Sequence, residues 1–317
     1  MIRVRCYEAS DAERWDALCA RAHGATFLHS RRFLSYHGER FADRSLVFED
    51  DRGRWLGAMP LAQDPDDAAH WISHPGITYG GVVHDGALRG EAMLEALQSA
   101  GAWARERGAR RLGVKPMPQI YALAPAQEEV YALSRLGAQR VRCDLASCID
   151  LAHRLPLSER RRRALSKAHR SGLRQAEGPL WLPPLWPVLE ENLARAHGRR
   201  PVHRLDEMQL LADRFPQQIR CRVALRETCV VAGLVLFVTP RVRHAQYIAS
   251  SEEGQSLAAL DFLFDHEIAQ AQAMQQRFFS FGISTEDGGR ILNQGLHCFK
   301  SEFGAGGVVH EHYEVRL

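Results

Sequence analysis

The chain has 317 residues, of which 45% are hydrophobic and 25% charged, and a formal net charge of +3. This length favours two domains of about 150 residues over one core. The composition is ordinary for a globular protein, and so small a net charge excludes the whole-molecule field that marks many nucleic-acid proteins. The start, "MIRVRCYEASDAERW", has no apolar core, so no signal peptide is expected. The longest strongly apolar run, "VVAGLVLFV" (230–238), falls far short of the roughly 20 residues a membrane helix needs and suits a buried strand. The cysteines (Cys6, Cys19, Cys143, Cys148, Cys221, Cys229, Cys298) are odd in number and scattered, with no C-x-x-C. Free thiols in a reducing cytoplasm are expected, with neither a disulfide scaffold nor a metal site. Cys298 reads as a small core residue.

Ser10 and Glu13 have capping-box spacing ahead of a helix that carries Trp15, Leu18 and Ala22. Ser30 caps a second short helix. "SLVFED" and "RWLGAMPLAQ", joined by a charged turn at Asp50–Gly53, read as a hairpin. "GITYGGVV" reads as a strand, Gly90–Arg107 as an amphipathic helix stopped by Gly108, and "RLGVKP" as the next strand. The joint lies near "CDLASCIDLAHRLPLS" (143–158). Beyond it "RCRVALRE" and "VVAGLVLFVT" form a hairpin, "HAQYIAS" a strand, Leu257–Gln275 a helix and "RFFSFGIS" a strand. Glu286–Phe303 reads as a helix with Thr285 as N-cap, an apolar stripe of Leu292, Leu296, Phe299 and Phe303, and Gly304 at its end. Lys300 in its last turn would favour the helix dipole by roughly 0.3–1 kcal/mol.

Hairpin, strand, loop, helix, strand thus occurs twice, which predicts an α/β fold of two duplicated units, residues 1–150 and 151–317. Between Arg154 and Arg174 eight Lys/Arg face one acid, Glu159. Phosphate contact by Arg161, Arg162, Lys167 and Arg170 and a merely solvated basic face both fit that run. "HEH" (310–312) puts two histidines on one strand face without an identifiable third ligand, so no metal is expected.

The duplicated unit, together with "FLHSRRFLSYHG", "HPGITYGGVV", "LSERRRRALSKAHRSGL" and "FGISTEDGGRILNQGLHCFKSEFGA", resembles the FemAB-like branch of the GNAT acyltransferase superfamily over nearly the whole chain. The resemblance implies two tandem GNAT-like domains, each a mixed twisted sheet flanked by helices. It also implies an amide-forming transferase that moves an aminoacyl group from aminoacyl-tRNA to an amine. Phe299 and Lys300 match the family's closing phenylalanine-lysine pair, which implies that Lys300 stabilises the oxyanion, worth about 3 kcal/mol. Asn293 and His297 lie on roughly the same helix face as Lys300 and form with it a polar strip, as expected of substrate-binding residues at a cleft wall. Tyr79, Tyr247 and His74 are acceptor-binding candidates, the two tyrosines on equivalent strands of the repeats; core packing is the alternative for each.

Neither "HDGALRGEA" (84–92) nor "SSEEGQSLA" (250–258) matches a pyrophosphate-binding GNAT loop well, and the second carries Glu252 and Glu253. No cofactor is then expected, with aminoacyl-tRNA as donor substrate; an acyl-CoA-dependent N-acyltransferase and an inactive RNA- or glycan-binding module are the alternatives. Near the start, Arg32, His37 and Arg40 stand where the family has a nucleotide-binding lysine. An amino sugar or a small biosynthetic amine therefore joins a peptide as a candidate acceptor.

Overall fold

A computed structural model describes residues 2–198 and 200–317. It divides into two units. The first takes the chain up to Leu145 with Thr285–Ile291 and Val309–Leu317; the second takes Ala146–Ser284 and Leu292–Val308. The chain first crosses between Leu145 and Ala146, and the last strand returns to the first unit.

The first unit runs β1 (Arg3–Cys6), α1 (Ala12–Arg21), α2 (Arg31–Leu34), β2 (Leu46–Glu49), β3 (Trp55–Met59), β4 (Ala62–Gln63), β5 (His70–Ile72), α3 (Glu91–Glu106), β6 (Arg111–Val114) and α4 (Glu128–Arg135). β7 (Gln139–Asp150) then carries the chain into the second unit. β2 pairs antiparallel with β1 and β3, and β5 runs parallel to β6. The turn at Asp50–Gly53 closes the β2–β3 hairpin as expected. α3 and α4 bury Leu97, Ala100, Ala132 and Leu133 against Leu46, Phe48, Met59 and Leu112. α3 ends where Gly108 takes a positive φ of 93°, which a glycine adopts without strain.

Two expectations fail in this unit. Ser10 and Glu13 do not cap α1: a short turn precedes it, in which Glu8 and Asp11 hold each other's backbone N–H groups. "GITYGGVV" is not a strand but irregular chain touching β3 only through a bridge between Ala58 and Val83. Its glycines explain why. A side chain at Gly80 would fall on the Ser73 carbonyl and one at Gly81 on the Glu129 carboxylate, so the segment is built for close approach rather than pairing.

The second unit contains α5 (Glu159–Arg170), β8 (Arg174–Glu177), α6 (Leu182–His197), α7 (Leu205–Arg214), β9 (Ile219–Arg226), β10 (Cys229–Val238), β11 (Val242–Ser250), α8 (Glu252–Ser256), α9 (Ala259–Ala273) and β12 (Phe278–Ile283). A two-strand ribbon, β13 (Thr285–Glu286) and β14 (Ile291–Leu292), leads to α10 (Gln294–Ser301), and β15 (Gly306–Arg316) closes the chain by pairing antiparallel with β6. The sheet of this unit is β8-β9-β10-β11-β12, with the end of β7 beside β12. Ala232, Leu234 and Leu236 face α9, where they meet Leu263, Phe264 and Ile268. Gly233 points the other way and admits Leu185 of α6. Each unit is therefore a mixed sheet flanked by helices.

Two parallel strands set up the site. The β11–β12 ladder covers Val242–His244 against Phe278–Ser280. Beyond it β12 kinks: its pairing with β7 shifts register between Ser280 and Ile283, and Gly282 takes a φ of 73°.

Candidate active site

Lys300 lies at this kink. Its side chain is 3% exposed, and its Nζ donates to the carbonyls of Gly282 (3.1 Å) and Ile283 (2.6 Å). Burial pushes its pKa down to about 7. The helix that carries it is shorter than expected. α10 begins after Asn293, whose side chain accepts from the Leu296 N–H at 3.0 Å, while the expected cap Thr285 sits in β13 and hydrogen-bonds Asp144. The glycines at 288 and 289, both at positive φ, break the longer helix. Asn293 is thus a cap rather than part of an open polar strip. His297, one turn before Lys300, is half-buried, with Nε2 3.4 Å from the Ser301 hydroxyl.

Phe299 is the neighbouring residue but points about 100° away around the helix. Its ring packs against Phe264 and Phe303 and lines a cleft of about 340 Å³ with Arg161, Lys167, Gly254, Gln255 and Asp261. One wall is α5, capped by Ser158, whose hydroxyl accepts from the Arg161 N–H. The other is the 250–258 segment and the first turn of α9, which has no side-chain cap. Gly254 is required there, because a side chain would strike the Val231 carbonyl. Glu252 points outward, 83% exposed, toward Arg195.

Arg161 is corrected by this geometry. It is buried, its guanidinium paired with Asp261 (2.7 Å) and Glu302 (3.1 Å) and lying 4.9 Å from the Phe299 ring centre. It ties α5 to α9 and α10 instead of standing free for phosphate. Arg162 and Arg163 share Glu159 on the outer face, and Arg170 bonds the Ser166 carbonyl. Lys167 is exposed at the cleft and has no carboxylate partner among the described residues.

Residues 158–288 match the family model described as an acetyltransferase (GNAT) domain. Structures similar to the whole chain include FemX (11% identity, TM-score 0.69, 99% of this chain and 97% of that one). L-PGS from Bacillus licheniformis follows at 12% identity and TM-score 0.65 (99% and 94%). A tandem GNAT protein of the clavulanic acid biosynthesis pathway has 14% identity and TM-score 0.55 (100% and 98%). No curated protein matches the sequence. The chain has the fold of these proteins, and residues 158–288 carry the GNAT-domain match. The kinked strand, cleft and buried lysine above belong to its second unit.

The other candidates sit elsewhere. Tyr247 is on β11 as expected, its hydroxyl accepting from the His203 backbone N–H (3.1 Å) and lying 2.7 Å from His203 Nδ1; burial pushes its pKa up to about 12. Tyr79 is buried in irregular chain, not on an equivalent strand, with its hydroxyl 3.2 Å from that of Thr26. His74 is buried in the first unit, beside His37. Sequence reasoning passed over two groups. Gly282 carried a signal, since a lone glycine within a strand pattern marks a bulge. Lys115, at the end of β6, is buried like Lys300 and donates to the Ile77 (2.5 Å) and Pro75 (3.5 Å) carbonyls; burial lowers its pKa to about 7. Nothing in "RLGVKP" marked it. Among the described residues no cluster of His, Cys, Asp and Glu is placed to hold a metal, and no helix is long and apolar enough to cross a membrane.

Proposed function

We propose that the protein moves an aminoacyl group from aminoacyl-tRNA to the amine of a small-molecule or sugar acceptor in the cytoplasm. The observation that carries this reading is the second unit's cleft, where exposed Lys167, the uncapped start of α9 and the Phe299 ring converge. A cation and a helix N-terminus suit a phosphate, and an aromatic face suits a base. FemX and L-PGS are among the structures with this fold.

In the reaction the amine attacks the ester carbonyl, the C–N bond forms, and the carbonyl oxygen becomes anionic. The C–O bond to the ribose then breaks, and the ribose oxygen takes up the proton that the amine loses. Lys300 would meet the oxyanion. Two of its N–H groups are held by Gly282 and Ile283, which fix the ammonium and leave the third for the substrate.

The 250–258 segment favours this donor over acyl-CoA. Its Gly254, Gln255, Leu257 and Ala258 N–H groups all bond within the segment, to Ser251, Glu253 and Gln255, instead of being offered to a pyrophosphate. The test supplies the purified chain with labelled aminoacyl-tRNA or labelled acetyl-CoA and a panel of amines. Label moving from RNA to amine supports the proposal. Label moving only from acetyl-CoA replaces it with the acyl-CoA reading, and no transfer from either donor favours a binding module.

A further inference from the structure

The first unit carries a groove of about 210 Å³ formed by α3, α4, β6 and the end of β15. Leu97, Leu112 and Leu133 are its buried floor. The surface a ligand would meet is that of half-buried Leu136 and Leu317, with Ala102, Arg105 and Arg316 exposed at the rim. The groove exists because α3 is thin on this side. Gly101 has no side chain, and one added there would stand 3.0 Å from the Leu317 side chain, which takes that space. Ala102 follows with a single methyl group.

Charge at the rim is uncompensated. Arginines nearby in sequence are paired: Arg107 with Glu106 (3.5 Å), and Arg111 with Asp67 (2.6 Å) and Glu314 (2.8 Å). Arg105 and Arg316 have no carboxylate within ion-pair distance among the described residues. Arg105 has a structural reason to be basic, since it lies in the last turn of α3. Arg316 lies on β15, where no helix end calls for a cation.

Neither part of this surface suits a ligand of one kind. A bare phosphate gains nothing from leucines, and a neutral hydrocarbon gains nothing from two guanidinium groups. An anion with an aliphatic tail uses both, because a guanidinium holds a carboxylate through parallel N–H groups. Size limits the tail. An apolar cavity of about 150 Å³ takes a benzene ring, so this groove suits a chain of roughly six to eight carbons.

We propose that this groove binds a medium-chain aliphatic carboxylate, with its tail along Leu136, Ala102 and Leu317 and its head between Arg105 and Arg316. The site is separate from the transfer chemistry, and binding there requires no transfer.

Butanoate, hexanoate and octanoate are titrated into the full chain, with the leucine methyl groups followed by NMR. Saturable shifts are expected, with affinity rising roughly fourfold for each methylene buried. Octanol, which keeps the tail without the charge, should bind about tenfold more weakly than octanoate. Vesicles of phosphatidylserine offer the same chemistry from a membrane and should compete poorly. Ala102→Leu suits a helix and fills the groove, so its melting temperature should hold while octanoate affinity falls about tenfold or more. Arg316→Gln should weaken octanoate and leave octanol unchanged. No saturable binding of octanoate overturns the proposal. So does octanol binding as tightly as octanoate, parental affinity in a folded Ala102→Leu variant, or binding to the vesicles that octanoate does not displace.

Discussion

At Lys300 the helix-end and catalytic readings make different demands. A helix-end lysine would lie exposed over the last carbonyls of its own helix, whereas this one is buried and bonded to Gly282 and Ile283 of another element. Lys300→Met keeps the length and removes the charge; turnover should fall roughly 10²–10³-fold with circular dichroism unchanged. The pKa near 7 supplies a second check. The folded state binds the proton less well than the unfolded chain, whose lysine titrates at 10.5, so the Lys300 contribution to stability should grow as pH rises from about 7 to 10.5. The ammonium that would meet the oxyanion is lost over the same rise, so activity should decline as pH passes about 7. Thermal melts and pH–rate profiles of parent and Met variant test both slopes. The phenylalanine-lysine pair singled this lysine out in the sequence. Its surroundings were not, because they depend on a strand kink that only three-dimensional pairing reveals.

At the scale of elements, the second unit relies on a buried charge network. Glu267 of α9 is 1% exposed and holds both Arg222 of β9 and Arg243 of β11. Glu267→Ala would leave two buried guanidinium groups short of a partner, and denaturant melts should show a loss of about 3–5 kcal/mol. In the first unit the Glu129 carboxyl of α4 accepts from the Val82 N–H at 2.8 Å, and burial raises its pKa from 4.5 to about 8. The folded state keeps a proton that the unfolded chain releases, so this contribution to stability is full below pH 4.5 and lost as pH rises to about 8. Glu129→Gln should flatten that part of the stability–pH curve, as urea melts at several pH values would show. A helix with a clear stop was legible in the sequence, as α3 was up to Gly108. The expected helix over 286–303 failed because two glycines, Gly288 and Gly289, turn the chain through a ribbon before the apolar stripe enters its helix. The expected strand over 76–83 failed because alternating hydrophobicity does not register how closely its glycines approach neighbouring backbone.

For the whole molecule, the repeated order of hairpin, strand, helix and strand pointed to two α/β units, since binary pattern and turn residues specify most of the elements. The return of β15 to the first unit was not legible, because strand partners far apart in sequence leave no local mark. The cleft of the second unit was half legible. The basic run of α5 and the 250–258 segment were both singled out, but only the fold places them opposite each other and shows Arg161 occupied by Asp261 and Glu302. Under the proposed reading Lys167 meets the donor, and Lys167→Glu should raise the KM for it about tenfold while kcat changes little and the salt dependence flattens. The central claim is tested most directly by following labelled aminoacyl-tRNA with glucosamine as acceptor in the parent chain and in Lys300→Met. The account predicts label on the sugar amine with the parent and a loss of roughly 10²–10³-fold in that rate with the variant. Label that stays on the RNA with the parent, or moves equally well with the variant, would contradict it.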